Sequence, residues 1–207
     1  CSAALEFYKL YGVSPGDRVV VLTNNDSAYS SVIELFNAGI SVPLVIDVRE
    51  KSDGNLPLKA KKLGIRVEFS KAISKVIGKK KVKAVELCSV VGEGAVLETI
   101  ICDSVLMSGG WTSTLNLWSH CGGKIKWDSK LNTLVPDESF PSINEFGRSF
   151  ITVLGSADGK FWPSDLFANI EKKLNILYSE LNLKKTKTIR YDIDKSIKGE
   201  TSSIFCV

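Results

Sequence analysis

The chain predicts an α/β protein built on a parallel sheet, and three patterns carry that expectation. Residues 18–22 are a near-continuous apolar run, Arg18-Val19-Val20-Val21-Leu22, as expected of a buried parallel strand. Apolar positions Ala28, Val32, Leu35 and Phe36 then recur at helical spacing. A second apolar run, residues 42–46, follows and ends on Asp47. Strand, polar turn, helix, glycine, strand and acid, in that order, form the opening βαβ unit of a Rossmann-like dinucleotide-binding domain. The first strand aims its carboxyl end at a helix N-terminus. There, backbone N–H groups and the positive dipole end suit a pyrophosphate.

The remaining elements follow in chain order. Residues 2–11 carry Ala4, Leu5, Tyr8 and Tyr11 at helical spacing, closed by Gly12. Pro15-Gly16 turns the chain into the first strand, and Gly39 fits a helix C-terminal cap. Pro43 is tolerated only near the start of its strand. Residues 58–63 predict a short helix closed by Gly64, and residues 66–69 a third strand. The pattern then changes. Residues 72–77, 82–88 and 99–102 are short strand-like runs separated by Gly78-Lys79-Lys80-Lys81 and Gly92-Glu93-Gly94. Such spacing predicts an antiparallel meander in place of a second crossover helix. Residues 103–107 return as a buried strand that runs into Ser108-Gly109-Gly110-Trp111. That glycine pair reads either as a close backbone approach to a ligand or as a plain turn.

Residues 124–127 and 131–135 predict a hairpin, and Pro136 and Pro141 mark a boundary. The expected division is residues 1–135 as the nucleotide-binding domain and 136–207 as a second part. In the second part, residues 150–154 read as a strand leading to Gly155-Ser156-Ala157-Asp158-Gly159. A helix with Ser164 as its N-cap candidate follows, with Leu166, Ile170, Leu174, Leu177 and Leu181 on one stripe. Residues 182–207 are polar and weakly patterned.

Composition narrows the function. The 207 residues are 44% hydrophobic with a net charge of +4, which suits a globular domain. The lysine runs at 79–81 and 184–187 lack interleaved aromatics and read as solvated turns, so nucleic acid is not an expected partner. No stretch of about 18 apolar residues exists to span a membrane. Cysteines 1, 88, 102, 121 and 206 have no paired spacing, which argues against a disulfide framework, a Cys-x-x-Cys centre or a zinc site. A reducing, cytoplasmic setting is expected. His120 is the single histidine, so no multi-histidine metal site is expected. The single Met107 and the start at Cys1 suggest a piece of a longer protein.

The candidate site is the turn after the first strand. A glycine fingerprint laid on that turn places its three positions on Thr23, Asn25 and Ala28. Asn25 tolerates left-handed backbone and caps helices. Thr23, Asn24 and Ser27 offer donors to phosphate oxygens, whereas Asp26 is a poor phosphate neighbour unless it points away or caps the helix. Asp47 stands 24 residues after Thr23, near the offset of about 20 for a ribose-binding acid. A carboxylate there favours NAD over NADP, while Arg49 could accept a 2′-phosphate. Two plainer readings stay open: the turn binds nothing, and Asp47 is a strand-end acid in solvent.

Segments 22–29 (Leu-Thr-Asn-Asn-Asp-Ser-Ala-Tyr), Ala38-Gly39, Asp47, Ser108-Gly109-Gly110-Trp111 and 122–128 (Gly-Gly-Lys-Ile-Lys-Trp-Asp) together resemble one family. It is the α subunit of the bacterial heterotetrameric sarcosine oxidases. The resemblance is dense to Pro136 and looser to Ser164. It implies a fold of the two-dinucleotide-binding flavoprotein type, with an NAD-binding domain inserted into a FAD-domain-like unit. Residues 155–159 would then belong to the far half of a partial second nucleotide domain, with Asp158 as a flavin ligand. The glycine-rich half of that domain would precede Cys1, so no flavin is expected in this chain alone. The family oxidises sarcosine to glycine, at flavin bound with another subunit, and passes the one-carbon unit to tetrahydrofolate in a later domain. The resemblance implies NAD contacts at Thr23 to Ser27, Asp47, and Ser108, Gly109 and Gly110. It assigns no catalytic residue here, and it implies the other oxidase subunits as partners. Two alternatives stand beside it: an NAD(P)H-dependent disulfide-reductase-type domain, and a non-catalytic scaffold with a degenerate nucleotide site.

Overall fold

The computed structural model describes residues 1–181, which form two compact units divided between Gly110 and Trp111. The polar segment 182–207, with Cys206 and its lysines, lies outside the described residues.

The first unit is built on a parallel sheet. Helix α1 (Ser2–Tyr11) ends at Gly12, whose φ of 64° is left-handed. Then come β1 (Arg18–Thr23), α2 (Ser27–Asn37), β2 (Ser41–Asp47), α3 (Asn55–Lys62) and β3 (Val67–Phe69). Strands β4 (Lys71–Gly78), β5 (Val82–Ser89) and β6 (Glu98–Ile101) follow, and β7 (Ser104–Ser108) closes the unit. The sheet order is β3-β2-β1-β7, all parallel. Strands β4, β5 and β6 form a separate antiparallel meander. This is the Rossmann-like α/β arrangement with the meander where the sequence places it.

Alternation along the central strands explains the layering. Val19, Val21 and Val45 face α1, α2 and α3, packing with Tyr29, Val32, Leu35 and Ala60. Val20, Leu44 and Ile46 face the other way, onto Val85, Leu87, Ile100 and Cys102 of the meander side. The sheet is thus buried on both faces, which is why its strands read as continuous apolar runs. Pro43 sits inside a central strand, where its missing N–H should break the ladder. The pairing shifts there: Arg18 opposes Ser41 but Val20 opposes Leu44, so Val42 and Pro43 form a bulge.

The second unit holds α4 (Asn116–His120), the antiparallel hairpin β8 (Ile125–Asp128) and β9 (Thr133–Pro136), a 3-10 turn (Gly155–Asp158) and α5 (Pro163–Glu180). Two expectations need correction. Residues 150–154 are extended but not a strand, because a strand needs a ladder partner. Here, among the described residues, only the Phe150 N–H reaches another segment's backbone carbonyl, that of Ser142 at 3.4 Å. The N-cap of α5 is Trp162, not Ser164, because Pro163 with its fixed φ takes the first helical turn. The stripe on α5 is only partly covered, with no fully buried residue on that helix.

Leu44 is fully buried between the sheet and the meander. Leu44→Ala should therefore cost about 2–5 kcal/mol in chemical denaturation. A loss below about 1 kcal/mol would mean that the meander does not cover that face.

Candidate nucleotide site

The parallel register gathers the predicted residues. Thr23 at the end of β1 lies opposite Asp47 of β2 on one side and Ser108 of β7 on the other. After β1 the chain moves outward to β2 and β3; it later returns on the opposite side as β7. In an open α/β sheet, a ligand crevice lies outside the carboxyl ends of strands at such a reversal. The α2 N-terminus begins there too, three residues after Asn24.

The turn from β1 to α2 is almost wholly buried, with Thr23, Asn24, Asn25 and Asp26 each 1% exposed or less. Thr23 Oγ1 accepts the Asn25 N–H at 3.1 Å and donates to the Asn25 carbonyl at 3.0 Å. Asn24 Nδ2 donates to the Gly109 carbonyl at 3.4 Å. Asn25 Nδ2 donates to the Ser108 carbonyl and to Ser108 Oγ, both at 3.1 Å. Ser27 Oγ donates to Asn25 Oδ1 at 2.5 Å. Asn25, at the second fingerprint position, and its neighbour Asn24 thus stitch the turn after β1 to the end of β7, which a glycine could not do. Gly110 takes φ 92°, a conformation that disfavours any side chain there.

Beside this turn lies a buried ionic cluster. The Arg49 guanidinium donates through Nε to Asp47 Oδ1 at 3.0 Å and through Nη2 to Asp47 Oδ2 at 2.7 Å. The same Nη2 donates to Asp26 Oδ1 at 2.7 Å. Asp47 also accepts the Tyr29 hydroxyl at 2.7 Å and the Arg49 backbone N–H at 3.1 Å. Ser52 Oγ donates to Asp26 Oδ1 at 2.9 Å. Asp26 stands at the N-cap of α2 without capping it; its carboxylate turns to Arg49 and Ser52 instead. Asp47 is 0% exposed, which removes the reading of a strand-end acid in solvent.

The electrostatics follow from this packing. Burial first, then the Asp47 charge and hydrogen bond, push the Tyr29 hydroxyl well above the ordinary tyrosine range. Burial alone would lower Arg49, but its hydrogen bonds and charge attraction to Asp47, then Asp26, outweigh that and raise it. Both groups therefore hold their protons throughout the neutral range.

Sequence reasoning missed Tyr29, Ser52 and Gly54 in this cluster. Tyr29 carried a usable signal: a buried hydroxyl one turn into an apolar helix face needs an acceptor. Gly54 has no room for a side chain, since a Cβ there would collide with the Asp26 carboxylate.

Asp158 belongs to the second unit. Its Oδ2 accepts Asn169 Nδ2 at 2.8 Å and pairs with Lys173 Nζ at 2.9 Å. Lys173 Nζ also donates to Glu138 at 2.7 Å, and that contact holds the Glu138 carboxyl below its ordinary value. Asp158, Asn169, Lys173, Lys126 and Lys160 share a polar cavity of about 280 Å³. Among the described residues no cluster of histidine, cysteine, aspartate and glutamate suits a metal ion, and no helix is long and apolar enough to cross a membrane.

The first unit is thus a Rossmann-like domain with a polar, buried turn at the carboxyl edge of its parallel sheet. No protein-family model matches the chain. It is similar to sarcosine oxidase subunit alpha of Rhizobium meliloti (strain 1021), 29% identical over 142 residues, which is 69% of this chain and 14% of that protein. The corresponding subunit of Corynebacterium sp. (strain P-1) is 32% identical over 142 residues, 65% of this chain and 14% of that protein. The family that the motifs resemble and these relatives agree. The chain spans about 14% of the length of the relatives it matches. Among solved structures it is similar to T. acidophilum thioredoxin reductase, at TM-score 0.49 and 16% identity over 77% of this chain and 53% of that one.

Two outcomes test the cluster. Gly54→Ala should cost about 1–3 kcal/mol by displacing the Asp26 carboxylate, read by denaturant unfolding. Because Tyr29 is raised in the folded state above its ordinary 10.0, its contribution is fully present below that pH and is lost as pH rises beyond it. Tyr29→Phe should therefore flatten the fall in stability on the alkaline side, and an unchanged alkaline limb would contradict the buried pairing.

Proposed function

We propose that this chain is the NAD-holding part of a sarcosine-oxidase-like flavoenzyme. The observation that carries the reading is the similarity to sarcosine oxidase subunit alpha in more than one organism. The row of Thr23, Asp47 and Ser108 at the strand ends supports a nucleotide at that edge. The phosphate side fits: α2 begins there, and Thr23, Asn24, Asn25, Ser27, Ser108, Gly109 and Gly110 bring hydroxyl, amide and backbone groups to one place. NAD, when bound, would supply a dinucleotide to the assembly. No residue of this chain is given a catalytic role. Oxidation of the amine would take place at flavin with the other subunits, in the cytoplasm.

A second reading is a non-catalytic scaffold whose nucleotide site is degenerate. It is favoured by the way Asn24 and Asn25 already bond across the crevice to Gly109 and Ser108. Calorimetric titration of the chain with NAD, ADP-ribose and FAD separates the two. Saturable binding of NAD and ADP-ribose without hydride transfer to added flavin supports the first reading. Absence of heat with all three ligands supports the scaffold.

A further inference from the structure

The bonds that close the phosphate side of the crevice run between neutral groups, whereas those that close its ribose side run to ionised ones. An ionised carboxylate offers about four acceptor positions. Those of Asp47 are taken by Arg49 Nε, Arg49 Nη2, the Arg49 backbone N–H and the Tyr29 hydroxyl, at 2.7–3.1 Å. The side chain is also 0% exposed. A ribose diol could reach it only by displacing charge-assisted bonds from a guanidinium, which are among the stronger ones in proteins. Arg49 is similarly engaged, on two carboxylates at once, so it is not turned toward a 2′-phosphate.

We infer that Asp47 is a positioning residue and not a ligand: with Tyr29 and Arg49 it forms a latch that fixes the β1–α2 turn against the end of β2. The latch rests for its ligand consequence on the nucleotide reading above. That consequence is a site that recognises the diphosphate part of an adenine dinucleotide and is nearly indifferent to the adenosine 2′ position. Without a bare carboxylate beside the ribose, the usual penalty against a 2′-phosphate is missing. Each partner comes from a different element. Tyr29 comes from α2, Asp47 from β2, Arg49 from the loop after it, and Asp26 from the turn before α2. A ligand acid would need no such enclosure.

Two measurements test it. The unaltered chain is titrated with NAD, with NADP and with NAD lacking the adenosine 2′-hydroxyl. Affinities within about threefold of one another are expected, whereas a ribose-binding carboxylate would separate them by about tenfold or more. A separation of that size in the unaltered chain, lost in Asp47→Asn, overturns the inference. Independently, ligand-free Tyr29→Phe and Asp47→Asn should melt about 5 °C or more below the parent. Unchanged melting overturns the latch whatever the nucleotide result. If none of the three nucleotides binds, the nucleotide reading fails, and the latch stands or falls on melting alone.

Discussion

A single guanidinium organises the carboxyl edge of the first unit. Arg49 leaves the end of β2, turns back, and holds Asp47 and Asp26 in the same interior site. Two carboxylates this close would repel strongly without it. Burying three charges carries a desolvation penalty, and such a cluster is tolerated only when nearly every donor and acceptor is matched. Tyr29, Ser52 and the Arg49 backbone supply that matching. The arrangement therefore demands the βαβ geometry around it. β2 must end level with β1, and Gly54 must lack a side chain.

The same constraint shapes the turn. Once Asp26 is drawn toward Arg49, the residues before it face β7. Asn24 and Asn25 then bond to Gly109 and Ser108. Side-chain amides replace the close backbone approach that glycines give in the common fingerprint. The result is a crevice whose polar groups are satisfied by the chain itself. A ligand would exchange these bonds for its own, so its affinity would be a difference between two polar networks.

Much of the fold was legible because the relevant signals are local. The runs at 18–22 and 42–46 are apolar throughout because the sheet is covered on both faces, by helices and by the meander. The meander was legible from its glycine-bearing separators, and α2 and α3 from their glycine stops. The extended segment 150–154 has the composition of a strand, yet composition cannot supply a ladder partner. The candidate site was legible in position but not in wiring. Spacing gave Asp47 the offset of a ribose-binding acid after Thr23; the register sets it opposite Thr23, with Ser108 on the other side. It could not show that Asp47 points inward to Tyr29, because that depends on the tertiary packing of α2 on β2.

The central claim is that the dinucleotide lies on the β1–α2 turn while the latch stays closed. A crystal structure of the chain grown with ADP-ribose tests it most directly. The account predicts a diphosphate beside residues 23–27 and 108–110, with the Asp47 carboxylate still on Arg49 and Tyr29. Asp47 turned onto the ribose hydroxyls, or a ligand bound away from this edge, would contradict it.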